Sequence, residues 1–132
     1  MTNGFTKVIF PKLSYEISGI FFKTHNKLGR FCNEKQYGDF VENLFKENKI
    51  QYEREKELAE SFDGERKGRN KVDFLIEKKI ILELKAKRIL LREDYYQVKR
   101  YLEAMDLKLG ILVNFRDKYL KPKRILNSKV KL

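Results

Sequence analysis

Apolar residues follow two rhythms along this chain. Between Ser14 and Leu28, the residues Ile17, Ile20, Phe21 and Leu28 recur at helical spacing with Thr24 on the same side, and Gly29 stands where such a helix would end. A second helix is predicted from Asn33, a good capping residue, with Tyr37, Phe40, Val41, Leu44 and Phe45 as its apolar stripe. A third runs over Arg92–Met105, with Tyr95, Val98, Tyr101, Leu102 and Met105 facing inward. The other rhythm has period two. Ile50–Leu58 sets Ile50, Tyr52 and Arg54 against Gln51, Glu53 and Glu55, an outer strand with a solvated face. Phe62–Asn70 holds Asp63-Gly64 and Gly68 and reads as a connection. Lys71–Glu77 and Ile80–Ala86 read as two short strands around a charged turn. Leu109–Phe115 is almost continuously apolar, as in a strand covered on both faces, and residues 120–127 add a short edge strand. Residues 1–12 and 128–132 carry no periodicity and are expected to be loosely ordered.

The order α-α-β-β-β-α-β predicts an α/β (α+β) fold. Three sequential strands form a meander, a crossover helix returns an apolar strand to it, and helices flank the resulting mixed sheet. With 132 residues, 42% of them apolar and 17 aromatic (7 Tyr and 10 Phe), the chain is expected to form one domain with a modest core. Cys32 is the single cysteine, so an internal disulfide is excluded and a reducing compartment is expected. Neither a secretory leader nor a membrane span is legible, and the expectation is a soluble cytoplasmic protein.

The strand 80–86 changes this picture. Ile80, Leu82, Leu84 and Ala86 share one face, while Ile81, Glu83 and Lys85 share the other. A carboxylate and an ammonium thus stand side by side on a strand apolar enough to be buried, and buried charge is costly unless paired or bound to metal. Asp73 lies opposite Glu83 only if Ile76 pairs with Ile80, leaving Glu77-Lys78-Lys79 as a three-residue loop. A two-residue loop would set Asp73 against Leu84, on the wrong face, although a bulge could restore the match. Two carboxylates about 4–6 Å apart across strands repel unless a cation lies between them. Hard oxygen ligands suit Mg²⁺ or Mn²⁺. Glu34, three residues before Tyr37, continues the inward stripe of its helix, and it is also an acid in a first helical turn, where the macrodipole favours it. His25, one turn after Phe21, fits a core histidine better than a catalyst.

Charge adds a partner. The net charge is +11, and residues 1–84 hold 16 Lys and Arg against 14 Asp and Glu, whereas residues 85–132 hold 14 against 5. The excess begins at the acidic strand and favours a polyanion, nucleic acid first. Lys87, Arg88, Arg92 and Arg100, with Arg69 from the connection, are the candidate phosphate contacts.

Asp73 followed ten residues later by Glu83-Leu84-Lys85 resembles the motif of the PD-(D/E)XK nuclease superfamily, and the element order resembles its core. Leu28-Gly29, Glu34-Lys35-Gln36-Tyr37, Gln97 with Tyr101-Leu102, and Gly110 through Phe115 extend the likeness to its GxxExxY family of prokaryotic proteins. Phe31 stands where that family has its naming glycine, and Val72 where the motif has proline. The resemblance implies a restriction-endonuclease-like core and metal-dependent cleavage of DNA or RNA. It assigns Asp73, Glu83 and Glu34 to the metal, Lys85 to orienting water or phosphate, Gln97 to binding either, and Tyr101 to packing or to stacking on the nucleic acid. A catalytically inactive nucleic-acid-binding module, or a partner-binding subunit of the same fold, is the alternative. Association as a homodimer or with a partner protein stays open.

Overall fold

Residues 9–131 are described by a computed structural model, and its helices begin and end where local chemistry dictates. Helix α1 (Pro11–Leu28) opens with Pro11 in its first turn, where the missing N–H costs nothing. It therefore starts three residues before the predicted Ser14, and residues 9–12 are not loose. Ile9 and Phe10 pack half-buried against the core, and Arg124 donates to the Ile9 carbonyl at 2.8 Å. Residues 1–8 and 132 of the ends expected to be loose lie outside the described residues. At the other end, Lys129 is tied to Glu103 at 2.8 Å. Gly29, at φ +76°, closes α1 by donating to the His25 carbonyl. Helix α2 (Glu34–Glu47) carries a reciprocal cap: Asn33 Oδ1 accepts from the Gln36 amide and Gln36 Oε1 accepts from the Asn33 amide, both at 2.8 Å.

Strands β1 (Tyr52–Glu57), β2 (Lys71–Ile76), β3 (Ile80–Lys85), β4 (Leu109–Asn114) and β5 (Lys123–Leu126) form one sheet in sequence order. Only the β3–β4 pair is parallel, because helix α3 (Arg92–Met105) makes the crossover between them. This is the predicted α+β order with its extra edge strand. Helices α1 and α2 cover one face over a core that includes Phe21, Tyr37, Phe74, Leu82 and Phe115, and the Tyr37 ring stacks on Phe115 at 4.3 Å. Helix α3 covers the other face over Leu75, Ile81, Val98, Leu102 and Leu112. Every residue of β4 is buried, as its unbroken apolar run requires. No helix among the described residues is long and apolar enough to cross a membrane.

The central hairpin has the predicted register. Ile76 pairs with Ile80, Leu75 with Ile81 and Phe74 with Leu82, so Glu77-Lys78-Lys79 is the loop. Glu77 and Lys78 take left-handed backbone (φ 49° and 57°), and Lys79 donates to the Ile76 carbonyl at 2.8 Å. Simple alternation fails further along. Phe74 and Ile76 belong to the α1–α2 core, but Val72, two residues earlier, belongs to the α3 core. Strand β1 switches in step: Tyr52 packs on the α2 side, Leu58 on the α3 side, and Glu55 between them sits at φ 51°. Pairing passes from Arg54–Phe74 to Lys56–Val72, so the ladder opens at Glu55 and Asp73. A left-handed non-glycine residue within a strand is strained, and such strain gathers at functional sites.

Candidate active site

Where the ladder opens, side chains take over its hydrogen bonds. Asp73 Oδ2 accepts from the Leu84 amide at 2.7 Å, and Glu83 Oε1 accepts from the Asp73 amide at 3.2 Å. Each carboxylate is held by the backbone of the opposite strand, which brings the two acids together as the hairpin register demands. Glu83 is 4% exposed. Burial first, and then the neighbouring Asp73, push the Glu83 carboxyl up to about 9, although Lys85 opposes the shift. Burial likewise raises Asp73, against the Leu84 amide and Lys85 and with Glu34 adding to the rise. A buried and a half-buried acid, both resisting ionisation and each with one oxygen fixed by an amide, are a donor set that fits a hard divalent cation.

Asp73 opens onto a cleft of about 300 Å³ that Glu34, Lys35, Gly38, Arg54 and Glu55 also line. Glu34 does not point inward as its stripe position predicts. It begins α2, is exposed, and lies at the mouth of this cleft, where its charge reaches Asp73. Among the described residues, no three acidic, histidine or cysteine side chains cluster closely enough to hold a metal together. The candidate ligands in direct reach of each other are thus Asp73 and Glu83, and Glu34 stands apart from them at the mouth of the cleft. A larger recess of about 640 Å³ lies by the β2–β3 turn, but its lining (Lys46, Lys49, Tyr52, Glu77 and Lys78 among others) includes no buried acid.

Lys85 shares the α3 side with Glu83, and its side chain is only 18% exposed. Its Nζ lies 3.4 Å from Gln97 Oε1 and 4.0 Å from Asp94 Oδ1. Gln97 is therefore brought to the site, through Lys85. Lys87, a candidate phosphate contact just beyond β3, is not free in solvent. It is half-buried and paired with Asp94 Oδ2 at 2.9 Å, because Asp94 folds back from the first turn of α3. Tyr101 is buried in the α3–sheet core and offers no open ring for a base. Arg69, Arg88, Arg92 and Arg100 are exposed. His25 is structural: Nε2 meets the Asp117 carbonyl at 2.8 Å and the ring stacks near Phe115.

Four residues of this site escape a reading of the sequence. Asp94 anchors both lysines and accepts from the Leu91 amide at 2.7 Å. Burial disfavours its charge, but that amide and Lys87 outweigh burial and hold its carboxyl below the ordinary value. Its signal was an acid at the third position of a helix. Asn114 locks the chain beyond β3, with Nδ2 donating to the Lys87 carbonyl at 2.7 Å and Oδ1 accepting the Lys87 amide at 3.0 Å. Arg54 walls the cleft, held by Asp39 at 2.6 Å and Glu42 at 3.0 Å. A Cβ on Gly38 would lie 2.5 Å from Arg54 Nη2, so the glycine makes room for it. Glu55 is exposed, as its place on the solvated face predicts, and it also lines the same cleft, at a left-handed backbone position.

The family model for the PD-(D/E)XK nuclease superfamily matches residues 11–125, from the first turn of α1 into β5. The chain belongs to this superfamily. PD-(D/E)XK nucleases use divalent metal ions on nucleic-acid substrates. The crystal structure of SSO0001 has the same fold, with a TM-score of 0.55 and 25% identity over 70% of this chain. This chain spans about half of that one, 49% of its length. No curated protein matches.

Proposed function

We propose that this PD-(D/E)XK domain is a nuclease of the GxxExxY type that hydrolyses phosphodiester bonds in DNA or RNA with Mg²⁺ or Mn²⁺. The observation that carries this reading is the close pair of buried Glu83 and half-buried Asp73, each acid fixed by the other strand's backbone, with Lys85 alongside. Asp73 and Glu83 would hold the ion, helped by Glu34 through water. A bound divalent cation supplies an activated nucleophile near neutral pH and neutralises charge on the phosphate. Lys85, positioned by Gln97, places its ammonium against the water or the phosphate. Water adds to phosphorus, the bond to the leaving ester oxygen breaks, and that oxygen is protonated. Arg88, Arg92, Arg100 and Arg69 are exposed to meet the flanking backbone.

Asp73→Asn and Glu83→Gln should each abolish cleavage and leave the circular dichroism spectrum unchanged. Full cleavage by both purified variants would defeat the reading. The gathering of only two close acids favours one rival, a nucleic-acid-binding module that does not cut. Such a module would bind equally well in chelator and give no product with any divalent ion.

A further inference from the structure

Phe31 is 77% exposed, in the loop between α1 and α2, three residues before Glu34. Three residues span at most about 11 Å, so the Phe31 backbone lies within that reach of Glu34, which lines the mouth of the proposed catalytic cleft. Two guanidiniums frame it. Arg30 Cζ lies 5.2 Å from the ring centroid and Arg116 Cζ lies 5.4 Å away. The frame is rigid, because Arg30 Nε donates to the Arg116 carbonyl at 2.9 Å and Arg116 Nε donates to the Arg30 carbonyl at 2.8 Å. Arg116 Nη2 also reaches the Ala86 carbonyl at 3.4 Å, one residue beyond Lys85. The loop beneath is pinned by Tyr37, whose hydroxyl donates to the Gly29 carbonyl and accepts from the Cys32 amide. Neither arginine pairs with a carboxylate among the described residues.

An aromatic ring kept in water on a fixed loop forgoes the burial that usually places phenylalanine in a core. Its neighbours are planar cations that stack and also bind phosphate. The chemistry that fits both is an unpaired nucleobase with its phosphate. A protein partner is less well matched, because two positive charges lie over the ring, which at 77% exposure keeps ring surface open for a base.

We propose that Phe31, with Arg30 and Arg116, is a base-stacking platform that seats an unpaired nucleotide beside the scissile phosphate. The preferred substrate of the site is then a single strand or a frayed segment, of either sugar, and not a closed duplex. This inference rests on the nucleic-acid reading above. Aromatic stacking tolerates any base, so the platform selects strandedness and leaves sequence unread.

The test uses the full chain carrying Glu83→Gln, to prevent cleavage, and short DNA and RNA single strands with 2-aminopurine at successive positions, beside a blunt duplex of the same sequence. One position should change its fluorescence on binding, and Phe31→Ala should remove that change. Phe31→Ala should also weaken single-strand binding by about 5- to 100-fold and blunt-duplex binding by less than about twofold. Phe31→Leu, which keeps the apolar bulk without a π face, should lose affinity similarly, and Phe31→Tyr should retain it. Single-strand affinity unchanged in Phe31→Ala, or equal losses on both substrates, would overturn the platform, leave the ring to a protein partner, and leave the nuclease reading standing. If the Glu83→Gln chain with Phe31 intact bound no probe at low salt, the nucleic-acid reading and the platform would fall together.

Discussion

Lys85 is held by polar neighbours on α3 and donates nothing to a cation, so its loss separates binding from chemistry. Lys85→Ala should preserve Mg²⁺ affinity by calorimetry while cleavage falls by about 10²–10³-fold, as when one preorganised charge is removed from a shielded site. Lost Mg²⁺ binding would show instead that Lys85 holds the acids in place. Glu83 carries a pH signature. In the metal-free protein its carboxyl titrates at about 9, against an ordinary 4.5. The folded chain thus keeps a proton that the unfolded chain releases. That stabilisation is complete below the ordinary value and is lost as pH rises through about 9. Asp73 shifts in the same direction. Denaturant titrations in chelator should show stability falling across this window, with Glu83→Gln flattening the fall and a divalent cation reversing it, since ligands bind metal deprotonated. Asp73, Glu83 and Lys85 were legible because period-two alternation puts charge on a buried strand. Asn114 and Asp94 were not, because each acts on Lys87, 27 and 7 residues away, and that spacing follows from the fold.

At the scale of elements, helix–strand packing sets the site. A Cβ on Gly110 of β4 would fall 2.6 Å from Val98 Cγ1 on α3. Val98 is buried and β-branched, so it cannot swing aside. Gly110→Ala should destabilise the fold by about 1–3 kcal/mol through overpacking, read from the denaturation midpoint. It should also slow cleavage, because Gln97 precedes Val98 and moves with the helix. An unchanged midpoint would mean that α3 shifts freely. The three helices, the hairpin loop and β4 were legible from stripes, caps and register. The early start of α1 was missed because Pro11 lies ahead of the apolar stripe. The switch of faces in β1 and β2 was missed because alternation assumes an unbroken pleat, and nothing in Glu53-Arg54-Glu55 marks a left-handed residue.

The whole molecule presents a +11 chain with its positive excess after Glu83. Exposed Arg88 and Arg92 follow β3 directly. Each phosphate contact steepens the salt dependence of binding by about 0.9 log units on duplex and about 0.7 on single strand. Replacing both arginines should therefore flatten the slope by about two contacts' worth, and an unaltered slope would place the backbone elsewhere on the surface. Strand order and layering followed from the order of elements, since one helix in a run of strands permits few connections. The opening at Asp73 did not, because it depends on three adjacent strands at once. Yet it gives the molecule two internal probes. The Asp73 and Leu84 amide protons, which an ordinary sheet would lend to carbonyls, point instead at the two acids. Their nuclear magnetic resonance frequencies therefore report the electronic state of the acids residue by residue, and a spectrum recorded during metal addition reads the occupancy of the centre without any label.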